Sequence, residues 1–277
     1  MNNHHDFNTE VAQRIGESRD NDKLRSRAKC FLEESICAKY SYNFFSLGRP
    51  IIQYPQDMIA VQELIWSIRP DCIVETGIAH GGSLIMSAAM LALLDYCDAA
   101  DAGEDFDVQK SRRKVVGLDI EIRPHNKAAL EAHPLFHKLD MVEGNSIDDE
   151  IISQIYDRVQ GYEKILVLLD SNHTHDHVLA ELEAYAPLVS QGSYCVVFDT
   201  LIEDLPDSTF PDRPWGVGNN PKTAVREYLR LCEGEGRRAR DGKPLHFEVD
   251  TNIESKILIT AAPEGYLKRL RECPLSP

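Results

Sequence analysis

The chain has 277 residues, 43% hydrophobic and 27% charged, which suits one large α/β domain with an added segment. Its formal charge of −15, from 45 acidic against 30 basic residues, repels nucleic-acid phosphates and anionic membranes. The densest basic clusters, 110–114 and 237–240, hold no interleaved aromatic residue and read as solvated loops, so neither nucleic acid nor membrane is an expected partner.

Residues 1 to 22 are polar and lack clean periodicity, which predicts a frayed tail; no apolar leader stands at Met1 to Asp6. From Asp22 to Tyr40, Leu24, Ala28, Phe31, Leu32, Ile36 and Cys37 recur at helical spacing. The aromatic segment Tyr42-Asn-Phe-Phe-Ser-Leu-Gly-Arg-Pro50 follows, then a helix over 57–68 with Met58, Val61, Leu64 and Ile65 on one face. Cys72-Ile-Val74 predicts a buried strand and Ser83 to Tyr96 an apolar helix; the sequence has no run of eighteen or more apolar residues, so no transmembrane helix is expected. Lys114 to Ile120 is the next strand, and Pro124 opens a helix at the first-turn position that proline favours. A short strand near 138–142 leads to Ser146, a cap for a helix over 147–159. Ile165 to Leu169 is a continuous apolar run, as in a strand covered on both faces. A helix over about 174–187, a strand over 193–198 and a helix started by Asn220 and Pro221 come next. Residues 245–249 and 256–259 read as two closing strands with no helix between them. The seven cysteines are scattered and form no C-x-x-C pair, which points to a reduced, cytoplasmic protein.

Alternation of this kind predicts an α/β fold: a doubly wound Rossmann-like seven-stranded sheet with one antiparallel strand, plus an N-terminal helical arm. Ligands of such sheets bind beyond the carboxyl ends of the strands. The first strand of the sheet ends in Glu75-Thr-Gly77, with Gly81 and Ser83 closing the turn into the next helix. No glycine stands two residues after Gly77 and no lysine follows the later pair, which disfavours a pyrophosphate and is compatible with the carboxylate of a methionine moiety. The second strand ends at Asp119, placed to accept from both hydroxyls of a ribose. The third ends before Asn145 and Ser146, a small polar loop suited to adenine. Together Glu75, Gly77, Gly81, Ser83, Asp119, Asn145, Ser146 and Asp170 form the expected S-adenosylmethionine (SAM) set.

Two later strands end in carboxylates, at Asp170 and Asp199. Parallel neighbours lie roughly 5 Å apart, so the two acids can share one divalent cation, with His173 beside it to take a proton from a hydroxyl. Helix-capping acids and surface histidines are the plain alternative. A zinc site from Asp170, His173 and His177 is the competing metal reading, weakened by the absence of a glutamate between the histidines.

The motifs Tyr42-Asn-Phe, Gly48-x-Pro50-Ile51-x-Gln53, Glu75-Thr-Gly, Gly81-Gly-Ser, Asp170-Ser-x-His173, Arg213-Pro-Trp-Gly216 and Asn220-Pro221 resemble the cephalosporin hydroxylase family, over roughly residues 40–260. That family includes rhamnosyl and macrolide-sugar O-methyltransferases. The resemblance implies SAM- and Mg²⁺-dependent methylation of a hydroxyl on a sugar or other polar small molecule, with Asp170 and Asp199 as metal ligands and His173 as base. Members carry a Glu-Asp pair where this chain has Phe198-Asp199, so a third ligand is sought at Glu203, Asp204 or water, with Asp204 favoured. Expected boundaries are a tail and arm over 1–68, the SAM domain over 69–265 and a C-terminal tail over 266–277. The loop from Leu201 to Asn219 reads as a lid over the substrate, and the arm as a site of homo-oligomer contacts. The alternatives are a non-catalytic SAM-binding protein and a nicotinamide-dependent oxidoreductase on the same sheet.

Overall fold

The computed structural model describes residues 2–271. Two helices, α1 (Asn2–Arg19) and α2 (Asp22–Cys37), precede a small hairpin of β1 (Phe44–Ser46) and β2 (Arg49–Ile51) and the helix α3 (Pro55–Ile68). The main body alternates β3 (Cys72–Thr76), α4 (Gly82–Ala102), β4 (Lys114–Asp119), α5 (Pro124–Glu131), β5 (Leu139–Glu143), α6 (Asp149–Arg158), β6 (Ile165–Leu169), α7 (His175–Tyr185) and β7 (Tyr194–Val197). It closes with α8 (Pro221–Glu235), β8 (Phe247–Val249), α9 (Thr251–Ile257) and β9 (Tyr266–Arg269).

The seven-stranded sheet has the order β5-β4-β3-β6-β7-β9-β8, with β9 antiparallel to both neighbours and the first five strands parallel. The expected fold class is what the chain adopts. Strand alternation splits the core into two layers. Cys72, Val74, Val167, Leu169, Cys195 and Val197 pack under α6, α7 and α8, while Ile73, Leu166, Leu168, Val196 and Phe198 pack under α3, α4 and α5. By length and composition α4 could cross a membrane. Its Leu84, Ile85, Ala88, Leu91 and Leu94 are instead fully buried against the sheet, which accounts for that composition.

Three expectations change. Residues expected as a frayed tail form α1, which packs on α9 through the half-buried side of Val11, Ile15 and Ser18, a helical spacing too sparse to register as a period. Residues 256–259 are not a strand: Asp250 accepts from the amide of Asn252 and caps α9. A short apolar run cannot be assigned to strand or helix by pattern alone, and the aspartate cap decides it. The last strand lies instead at Tyr266–Arg269, inside the stretch expected as a C-terminal tail, with Tyr266 and Leu267 fully buried.

Progression outward from β3 runs first to β4 and β5, then reverses to β6 and β7, so the crevice opens between β3 and β6.

Candidate active site

The turn after β3 is fixed by sterics. Gly77 has φ +90°, and a Cβ there would sit 1.9 Å from the carbonyl oxygen of Asp170, so no side chain fits. Gly81, with φ +79°, meets the Leu130 side chain in the same way. Gly82 lies under the β1–β2 hairpin, where a Cβ would stand 2.2 Å from the Pro50 oxygen. The hairpin is pinned from its own side: Arg49 donates to the His80 carbonyl at 2.7 and 3.0 Å and to Asn126 Oδ1 at 2.9 Å. Asn126 in turn donates to the Ala79 carbonyl at 2.8 Å.

Glu75 ends β3 at 2% exposure. Ser83 Oγ donates to its Oε1, while Oε2 is buried without a partner. Burial pushes the carboxyl up to about 7. Asp119 lies at the end of β4 as expected, with Oδ2 accepting from the amides of Ile78 (2.8 Å) and Ala79 (3.0 Å) and Oδ1 from Glu121 (3.2 Å). The aspartate therefore braces the turn, including left-handed Ala79 at φ +46°. Asn145 donates to Asp148 at 2.9 Å, and Ser146 Oγ lies 2.9 Å from His177 Nε2. These two residues sit beyond the end of β5 and do not line the cleft that Gly77, Ser83 and Asp170 enclose.

That cleft measures about 230 Å³, and a second of about 470 Å³ adjoins it. Tyr42, Ile52, Gln53, His173 and Asp199 line both. The first is otherwise walled by the glycine turn and the hairpin residues Pro50 and Ile51, and the second by Tyr54, Phe210, Arg213 and Trp215. The expected lid supplies the last three of these residues.

At the junction, ligand atoms of Asp170, His173 and Asp199 all lie within 4.8 Å of one another. His173 Nε2 is 3.1 Å from Asp199 Oδ2 and its ring meets Trp215 edge-on, with centroids 4.8 Å apart. Arg213 covers the other side of the indole at 5.2 Å. Burial first, then the charges of Asp199, Glu75, Glu181 and Asp57, hold the Asp170 carboxyl well above the usual carboxylate range. Asp199 takes a left-handed conformation, φ +55°, rare for a residue with a side chain. The two crowded carboxylates fit a divalent cation, which would relieve their mutual repulsion, and the imidazole stands beside that position.

The favoured third ligand does not join them. Asp204 accepts from the buried ammonium of Lys222, and Glu203 accepts from the Gly218 amide at 2.8 Å and from Asn220 Nδ2. Both acids hold the loop onto the start of α8. Phe198 is 3% exposed and belongs to the core layer under α3 to α5. The zinc alternative fails as well, because His177 faces Ser146 and Glu181 (3.6 Å) rather than the cluster. Gln53 stands in one of the family motifs but carried no assigned role there, and Glu181 stands in none of them. Their positions follow from the hairpin and from the packing of α7, which no local motif announces.

The sheet order and the acid-rimmed crevice define a Rossmann-like methyltransferase. The chain belongs to the rhamnosyl O-methyltransferase/CmcI family, whose profile matches residues 38–270, and is a SAM-dependent O-methyltransferase. It is 31% identical over 214 residues to a rhamnosyl O-methyltransferase of Mycobacterium bovis (strain BCG / Pasteur 1173P2), covering 77% of this chain and 73% of the relative. To the rhamnosyl O-methyltransferase of Mycobacterium leprae (strain TN) it is 28% identical over 224 residues, covering 80% and 82%. A solved CmcI structure described as an Mg-SAM complex aligns with a TM-score of 0.50 at 14% identity, covering 83% of this chain and 78% of that one, a likeness of fold.

Proposed function

We propose that the chain methylates a hydroxyl of a sugar-like acceptor, with SAM in the smaller cleft, the acceptor in the larger, and Mg²⁺ held by Asp170 and Asp199. The observation that carries this reading is the Asp170–His173–Asp199 cluster at the junction of the two clefts. When bound, SAM supplies the electrophilic methyl group and the cation a positive charge beside the acceptor oxygen. His173 takes the hydroxyl proton, and Asp199 holds the imidazole in place and stabilises it once protonated. The carboxyl groups of buried Glu75 and half-buried Asp170 favour a cationic sulfonium and ammonium and disfavour the pyrophosphate of a nicotinamide dinucleotide. Aromatic walls at Tyr42, Phe210 and Trp215 suit the apolar face of a pyranose and exclude water from the proton transfer.

The relatives named rhamnosyl O-methyltransferase suggest the acceptor class. In this reading the nucleoside extends out of the smaller cleft past the ends of β4 and β5 toward Asp119, Asn145 and Ser146, the catalytic domain spans the sheet through β9, and residues before it form an arm for subunit contacts in a cytoplasmic homo-oligomer. Thermal shift with SAM and with NAD⁺, each with and without Mg²⁺, tests the cofactor. Stabilisation by SAM alone supports the reading; stabilisation by NAD⁺ and not by SAM overturns it.

A further inference from the structure

Gln53 is 7% exposed, lines both clefts, and its Oε1 is buried without a hydrogen-bond partner. An amide oxygen left dry loses the hydrogen bonds that water gave it, so a donor that arrives with a ligand is the natural complement. The backbone around it is held on both sides. Upstream, Arg49 ties the hairpin to the cofactor turn. Downstream, Tyr54 shares a 2.7 Å bond with Ser35, and Asp57 accepts from Thr260, Ala261 (2.8 Å) and Tyr266 (2.8 Å). The amide is thus presented at a fixed place next to His173 and Asp199 rather than free to seek another partner.

Three donors can come to this junction. The ammonium of SAM has an anionic complement in the carboxyl of Glu75, whose Oε2 is unpartnered and whose Oε1 is tied to the glycine turn through Ser83. Water on a cation has Asp170 and Asp199. A hydroxyl of the acceptor has Gln53 Oε1, among the described residues the one buried neutral acceptor left unpartnered on the wall shared by the two clefts; Tyr42, on the same wall, is exposed to water.

We propose that Gln53 binds the hydroxyl next to the one being methylated, so that the enzyme selects a vicinal diol and fixes which of its two oxygens faces His173. This assignment rests on the sugar-like acceptor proposed above and names a residue that reads it. A site built around a substrate hydroxyl discriminates strongly against an analogue lacking it, because the amide is then left unpaired.

The test compares wild type with Gln53→Leu and Gln53→Met on methyl α-L-rhamnopyranoside and its monodeoxy analogues, with SAM and Mg²⁺. For the diol, kcat/KM should fall about 10- to 100-fold in both variants, while S-adenosylhomocysteine affinity, the Mg²⁺-dependent thermal shift and Tm stay within error. For one deoxy analogue the wild type should already be slowed and the variants no slower still. An equal loss on every analogue, or a matching loss of S-adenosylhomocysteine or Mg²⁺ affinity, overturns the assignment to a hydroxyl. A wild type that binds SAM but methylates no rhamnoside overturns the sugar reading first, and this inference with it.

Discussion

His173 Nε2 lies 3.1 Å from Oδ2 of Asp199, one residue from the end of β6's polar tail and the other just past β7. The contact joins the proton acceptor to one of two carboxylates crowded at the crevice, and makes the two functions separable by mutation.

His173→Ala should reduce kcat about 10²- to 10⁴-fold, the range for loss of a general base. SAM and Mg²⁺ affinity, read by isothermal titration calorimetry, should be unchanged. Full turnover in the variant removes His173 from the mechanism.

Asp199→Asn and Asp204→Asn should differ. The first removes a charge from the cluster and should abolish stabilisation by Mg²⁺. The second only loosens the pairing with Lys222, so Mg²⁺ should stabilise that variant as it does wild type. Equal loss of the Mg²⁺ response in both would return Asp204 to the metal site.

Glu75 gives a pH signature. Its folded carboxyl titrates near 7 against an ordinary value of 4.5, because burial disfavours the anion. The folded state therefore holds the proton more tightly than the unfolded chain. The stabilisation is complete below about 4.5 and is lost as pH rises through 7, at most about 3 kcal/mol. In EDTA and without SAM, Tm should fall from pH 5 to pH 8. Glu75→Gln, which keeps an acceptor for Ser83, should make that slope shallower, leaving the part that the raised carboxyls of Asp170 and Asp57 supply; an unchanged slope would assign it wholly to those groups.

Gly77→Ala tests the turn. With φ +90° and a backbone oxygen where the methyl would go, the substitution should cost at least about 3 kcal/mol, roughly 6–12 °C in Tm. A variant as stable as wild type would mean that the β3 and β6 ends can separate without loss.

Much of this was legible in the sequence because parallel strands are continuous apolar runs whose ends carry the chemistry. Glu75, Asp170 and Asp199 could be placed on one rim from strand order alone. The third ligand could not. Asp204 is close to Asp199 along the chain, but its partner Lys222 lies on α8, and that pairing is tertiary. Asp119 was legible as a strand-end acid, whereas its engagement with the Ile78 and Ala79 amides depends on the path of the neighbouring turn. The end of the chain misled for a local reason: Ile257 and Ile259 carry β-branched side chains, yet the Asp250 cap directs the segment into α9 and leaves Tyr266 to Arg269 to complete the sheet.

The most direct measurement of the central claim is a mass-spectrometric assay with SAM, Mg²⁺ and a panel of rhamnosides, following S-adenosylhomocysteine and methylated product together. Methylated glycoside equimolar with S-adenosylhomocysteine in wild type, and neither in His173→Ala, is the expected result. S-adenosylhomocysteine without methylated glycoside, or product formation undiminished in His173→Ala, would contradict it.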